Sequence, residues 1–397
     1  MTRQKVLGWT VGDNVRRLIR ERFVAIYVVG VLGVLLMVAG TLWDLAWHEL
    51  RIVETFFTPP HAVLYTGIGL SVAAAVTGAL ARRIAFSDQT RLRPVFIGFH
   101  IALLGGLLQV AGGFADFWWH ETFGFDPFLF TPSHALLISG GILGGVGMAV
   151  GTVRLLGAHR AGLDLGKSLA SARALHLLAV LGLAGLWLAL SFGVYLVTDV
   201  RGIAYTFRLG PGFVETWAIP AGGLAVTLLA LVGTLVVFAS KQILGWRGAV
   251  VSVSVLHAGI VALANIGFQA WVLRGTSTGG AFSSFLWLYV GFLAPLSAFD
   301  VAVRGPLPRG RALLAGALVA PFAGVQEGLY AASLWTSAPS WALLAFFPMV
   351  LVGLLGGLVI KRFVTALTCT RFPRGLGSTE ARGVAEEFVS RANEEGQ

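Results

Sequence analysis

A single cysteine, Cys369, is all the thiol chemistry that this chain of 397 residues holds. That excludes a disulfide framework, cysteine-rich zinc sites and cysteine-ligated clusters. A metal would have to be held by imidazole and carboxylate. Charge is scarce as well: Asp, Glu, Lys and Arg make up 12% of the residues, about half of what a soluble domain carries. No phosphate loop, nucleophile elbow or nucleotide fingerprint stands out among the 52 glycines, which in apolar helices most simply allow close packing. What the sequence has in abundance is apolar length. It is 56% hydrophobic with a mean hydropathy of +0.80. Runs of about 20 apolar residues, enough to cross roughly 30 Å of hydrocarbon, recur throughout.

The expected fold is therefore all-α, a polytopic integral membrane bundle. The apolar runs predict ten spans, near 23–47, 60–84, 95–119, 132–156, 174–198, 217–240, 248–273, 281–303, 312–335 and 340–362. Basic residues alternate with them. Arg82, Arg83, Arg91 and Arg93 follow the second span, and Arg154, Arg160, Lys167 and Arg173 the fourth. Lys241 and Arg247 follow the sixth, Arg304, Arg309 and Arg311 the eighth, and Lys361 and Arg362 the tenth, while the other connections carry few or none. By the positive-inside rule both termini are cytoplasmic. The net charge of +10 then reflects topology, and the expected partners are the lipid bilayer and other membrane subunits or a second copy, with no nucleic acid. The first apolar run has full span length and no cleavage-type ending, so no cleavable signal peptide is expected. Residues 1–22 pattern as an amphipathic cytoplasmic segment on an anionic surface, and 363–397 as a polar cytoplasmic tail. Between them lie hairpins at 23–84 and 95–156 and three further hairpins over 174–362.

The first two hairpins read as internal repeats. Asp44 to His61 runs DLAWHELRIVETFFTPPH, and Asp116 to His134 runs DFWWHETFGFDPFLFTPSH. The match extends backwards, since LLMVAG (Leu35 to Gly40) aligns with LLQVAG (Leu107 to Gly112). Asp44 and His48 are four residues apart and share a helix face, as do Asp116 and His120. Thr58-Pro59 and Thr131-Pro132 are helix-start signals, with Thr as N-cap and Pro at the first helical position. They put His61 and His134 in the first turn of the returning helix, level with the Asp/His pair. One carboxylate and two imidazoles from two rigid helices make a three-ligand set with open positions, suited to Cu, Zn or Fe(II). The competing reading is a polar brace, with each Asp hydrogen-bonded to its His inside an interfacial belt of Trp43, Trp47, Phe56, Phe57, Trp118 and Trp119.

Asp-x-x-Trp-His followed by Thr-Pro-Ser-His resembles the metal-site signature of the C subunit of copper membrane monooxygenases, the family of methane, ammonia and hydrocarbon monooxygenases. The resemblance covers the two motif segments, about a tenth of the chain. Glu54-Thr55 falls where the family has an acidic residue and Thr, and Phe130 to His134 is the closer terminal match. The resemblance implies copper, with zinc or iron as alternatives, on Asp44, His48 and His61 and on Asp116, His120 and His134. Glu49 and Glu121, each following a motif His, would then shape the sites or move protons. An oxygenase would also need a reductant and other subunits, because the ten-span layout is not the family's and no large extracytoplasmic domain is present. The alternatives are a copper or zinc transport or acquisition protein, or a structural or assembly subunit.

Other polar residues fall in apolar surroundings. Glu327, beside Gln326 in the ninth span, is a candidate site residue or proton carrier. His257, Asn265 and Gln269 on the seventh span suit interhelical hydrogen bonds. Tyr195, Asp199 and Glu215 lie at the depth of the motifs and would supply ligands or cap loops. Asp300 is placed to pair with Arg304 at i, i+4. His100, His159 and His176 read as packed or solvated.

Overall fold

The computed structural model describes residues 5–6, 9–10, 12–49, 57–124, 128–163, 165, 171–272, 296, 299–300, 314–321 and 340–368, with the side chains of 5–6, 9–10, 45–46, 48–49, 264–272 and 340–346 excepted. The described chain is helical apart from an antiparallel pairing of Lys5–Val6 with Trp9–Thr10. In chain order the helices are α1 (Asp13–Glu49), α2 (Pro59–Ile84), α3 (Arg93–Phe123), α4 (Pro132–Arg160), α5 (Ala172–Thr198), the short α6 (Val200–Thr206), α7 (Pro211–Leu244), α8 (Ala249–Val272) and α9 (Ser340–Thr368). Seven of them, all but α6 and α8, are long and apolar enough to cross a membrane. The apolar stretch of α8 with described side chains, Ala249–Leu263, is shorter. The spans expected at 281–303 and 312–335 fall largely outside the described residues. Residues 13–22, expected to belong to a separate surface helix, form the first turns of α1 without a break at 22.

Both Thr-Pro signals start helices where expected. Thr58 and Thr131 are extended N-cap residues with ψ of 153° and 161°, and a proline follows each in the first turn. Neither hydroxyl makes the side-chain cap bond. Proline removes a backbone donor and pre-sets φ, so the start is fixed without it.

Within each of the first two hairpins the helices touch backbone to backbone. A Cβ on Gly33 of α1 would meet the Ser71 nitrogen of α2 at 2.6 Å, and one on Gly105 of α3 the Gly144 nitrogen of α4 at 2.7 Å. Gly40 lies against Leu64, and Gly112 against Leu137. Gly67 lies against Met37, and Gly140 against Gln109. The same contacts thus recur with positions advanced by 72 on the outgoing helix (105 minus 33) and by 73 on the returning one (140 minus 67). Between the hairpins, Gln109 Nε2 donates to Met37 Sδ at 2.6 Å.

At the other end of the hairpins, the basic residues are used as helix C-caps. Arg20 Nε donates to the Ala85 carbonyl that ends α2, at 2.7 Å. Arg160 reaches the last carbonyls of α7, Ile243 at 2.6 Å and Leu244 at 2.8 Å. Arg154 does the same for α9, at Ala366 (2.9 Å) and Leu367 (3.0 Å). Terminal helix carbonyls have no partner within the helix, and a cation there also complements the helix dipole. Asp300 pairs with Lys241 at 2.6 Å; Arg304, its expected partner, lies outside the described residues. Its second oxygen accepts from Val250 N of α8 at 2.9 Å.

Gly105→Val would wedge α3 from α4. The expected result is a loss of about 1–3 kcal/mol, the usual effect of overpacking, measured as a lower thermal unfolding midpoint in detergent. Gly113, where a Cβ meets nothing within 4 Å, should tolerate Ala.

Candidate metal centre

Asp116 stands in the last two turns of α3 and His134 in the first turn of α4. His134 Nε2 lies 3.2 Å from Asp116 Oδ1, and His120 Nε2 lies 3.6 Å from Asp116 Oδ2. The potential ligand atoms of all three residues fall within 4.8 Å of one another. Two donors about 2.1 Å from one tetrahedral ion sit roughly 3.4 Å apart, so the two measured separations straddle what a shared metal imposes. Asp116 is 6% exposed, and its Oδ1 accepts no hydrogen bond among the described residues.

The tautomer of His134 sharpens the point. Its Nδ1 lies 3.1 Å from the Phe128 carbonyl. A carbonyl only accepts, so Nδ1 carries the hydrogen. The neutral ring then turns the lone pair of Nε2 toward the carboxylate oxygen. Two lone pairs at that distance repel unless a cation lies between them, either a proton on Nε2 or a metal ion. A backbone carbonyl fixing the far nitrogen is also the common support for a metal-bound imidazole.

The first hairpin repeats part of this arrangement. His61 Nε2 lies 3.2 Å from Asp44 Oδ1, with both side chains largely buried, and the His61 ring stacks on Tyr65 with centroids 5.3 Å apart. The side chains of His48 and Glu49 lie outside the described residues, as does Glu327. Glu121 is exposed. Of the aromatic residues, Trp47 is buried, whereas Trp118 and Phe57 face outward.

Asp44 and His134 line one cavity of about 60 Å³, together with Met37, Gln109, Ile138 and Phe192. A water needs roughly 10–15 Å³ by this measure, so the space holds a few waters or one small molecule. It joins the two Asp/His groups through a mostly apolar interior.

A support that spacing did not assign comes from the corner between α5 and α6. Asp199, 4% exposed, accepts from Gly202 N at 2.9 Å and so caps α6. Its other oxygen accepts from Phe130 N at 2.9 Å, and Thr206 Oγ1 donates to the Phe130 carbonyl at 2.7 Å. The segment that carries the Phe128 carbonyl is thereby fastened to the third hairpin. Burial pushes the Asp199 carboxyl above its ordinary range, and the backbone N–H groups and Arg201 oppose that only in part. Of the two roles open to Asp199, the geometry shows the cap. Glu215 is exposed. His257 is fully buried, stacked on Trp187 with centroids 4.4 Å apart.

No family model matches the sequence, and no similar protein was found among curated proteins or solved structures. The geometry of the centre is therefore the ground for a functional reading.

Asp199→Ala would leave Phe130 N and Gly202 N without their acceptor, at about 1–3 kcal/mol for a buried donor. It should loosen the Phe128 carbonyl and weaken metal retention at His134, by about 10-fold, the lower end for a lost outer-shell partner. Metal titration of the variant beside wild type measures this.

Proposed function

We propose that the protein is an integral membrane metal-binding protein whose first two hairpins are a duplicated unit, each holding a transition metal on one carboxylate and two imidazoles at the extracytoplasmic face. The observation that carries this reading is the convergence of Asp116, His120 and His134 from two helices, with ligand atoms within 4.8 Å and His134 Nδ1 held by a carbonyl. Asp44 and His61, with His48, form the corresponding set on the first hairpin. The two sets share an interior cavity.

Copper is the proposed metal, on the strength of the resemblance to the copper-site subunit of membrane monooxygenases and of a donor set of nitrogen and oxygen. When bound, copper would supply redox chemistry with dioxygen, and the apolar walls of the cavity suit a small apolar substrate. The chain's own residues would orient the metal and exclude water: Phe128 O and Tyr65 through the imidazoles, and Leu64, Leu137 and Ile138 through the walls. The topology proposed with this function is ten spans with both termini cytoplasmic, supported by the alternation of basic loops.

One observation favours a second reading, a non-enzymatic copper transport or acquisition protein. The cavity runs from Asp44 and His134 to the thioether of Met37, and a thioether is a soft ligand that suits Cu(I).

Elemental mass spectrometry of the detergent-purified protein tests the assignment. Copper near one or two ions per chain in wild type, lost on the second hairpin in His120→Ala/His134→Ala with the elution volume unchanged, is the expected result. Zinc lost in the same way would move the assignment to metal handling. A wild type that holds no metal after reconstitution would leave the residues as a polar brace.

A further inference from the structure

At the end of the first two hairpins remote from the Asp/His groups, the structure carries a concentration of positive charge that the proposed metal chemistry does not use. Arg82 and Arg83 sit in the last turn of α2 and Arg93 at the first turn of α3. With Ser87 and His100 they line a cavity of about 310 Å³, five times the volume of the cavity beside the Asp/His groups (310 against 60 Å³). The acid nearest in sequence, Asp88, faces Arg20, at 3.3 Å, and Arg20 is also tied to the end of α2. Among the described residues Arg82, Arg83 and Arg93 make no hydrogen bond or ion pair with the protein. Three guanidinium groups crowd one concavity, and repulsion between them opposes that arrangement unless an anion lies among them. The guanidinium fork matches the oxygens of a phosphate.

The surface leading away from this cavity is of the opposite character. On α3, Ile97, Leu104 and Leu107 follow Arg93 at positions i+4, i+11 and i+14, which places them on one stripe. They are 42%, 54% and 60% exposed. On α2, Val76 and Leu80 precede Arg83 on its own stripe, at 40% and 39% exposed. Each stripe leads from the end of its helix that carries the basic cavity into the apolar span. A charged pocket with room for a headgroup, from which two exposed apolar tracks lead away, has the outline of a glycerophospholipid, headgroup at the arginines and acyl chains along the tracks. Basic pockets between helices at the cytoplasmic surface are suited to anionic headgroups.

We propose that Arg82, Arg83, Arg93 and His100 form a binding site for the phosphate of an anionic membrane phospholipid, with its chains laid against Val76, Leu80, Ile97 and Leu104. The lipid seals the groove between α2 and α3 and joins the two hairpins at the end opposite the Asp/His groups. The His100 ring fits this role. Its Nδ1 donates to the Phe96 carbonyl at 2.8 Å, so Nε2 is the nitrogen left to face the cavity.

The test is thermal unfolding of the delipidated full chain in detergent, titrated separately with phosphatidylglycerol, with phosphatidylcholine and with inorganic phosphate at matched phosphate concentration. Phosphatidylglycerol is expected to raise the unfolding midpoint of wild type, because a ligand that binds only the folded state stabilises it. Phosphatidylcholine should do so less, and inorganic phosphate should leave it unmoved. A basic side chain near an anionic surface is worth roughly fivefold in affinity. Arg93→Gln should therefore weaken the phosphatidylglycerol response about fivefold, and Arg82→Gln/Arg83→Gln/Arg93→Gln about a hundredfold. Lys361→Gln/Arg362→Gln, at the exposed end of α9, should leave it unchanged. An equal shift with inorganic phosphate would overturn the lipid assignment in favour of a free-anion site. An undiminished response in Arg93→Gln and the triple variant, or an equal loss in the α9 variant, would overturn the site itself. No metal ligand is altered in any of these variants.

Discussion

Backbone contact inside each of the first two hairpins governs where every other group can sit. Gly33 on Ser71 and Gly105 on Gly144 bring the helix axes so close that neither helix can slide or turn without a clash. In hydrocarbon there is no hydrophobic drive to hold helices together, so such close packing and a few polar contacts must do it. With the axes fixed, the height of each returning helix is set by its Thr-Pro start. That brings His61 level with Asp44 and His134 level with Asp116. The ligand geometry is thus a consequence of glycine placement several turns away.

Two groups of polar contacts stand at opposite ends of the first hairpins. At one, carboxylate and imidazole face each other across a hairpin, and Asp199 reaches across from the next hairpin to hold the loop that orients His134. At the other, arginines close the carbonyl ends of α2, α7 and α9, and Lys241 joins Asp300 beneath α8. An apolar interior with fully buried Phe23, Tyr27, Phe96, Phe99 and Trp187 separates them. A buried carboxylate such as Asp116 is costly in that setting, and its position beside two imidazoles is the arrangement that offsets the cost.

Much of this was legible in the sequence because it rests on local spacing. Helical content follows from apolar run length. The pairing of Asp116 with His120 follows from a four-residue interval, and the position of His134 from Pro132. The glycine contacts of the first two hairpins recur at the same offsets, 72 and 73, as the Asp and His positions. What spacing could not supply were contacts made across the bundle. Asp199 and Phe130 are 69 residues apart, and Arg154 and Leu367 are 213 apart. No periodicity encodes either meeting. Lys241 reaches Asp300 from 59 residues away, a partner that spacing along one helix does not offer. The continuity of α1 through residue 22 was hidden for a related reason: a basic amphipathic stretch reads alike whether it lies on a membrane or extends a span past it.

Met37 and Gln109 occupy corresponding places in the two hairpins and are hydrogen-bonded to each other across them. Had both positions kept one residue type, the interface would join two amides or two thioethers, and either hairpin could stand in the other's place. With sulfur facing amide, the donor is assigned to the second hairpin and the acceptor to the first, and two copies of the first would lose the bond because a thioether cannot donate. The molecule has a built-in handedness of parts. Its two Asp/His groups open on a common interior from chemically different sides, so they are siblings rather than twins.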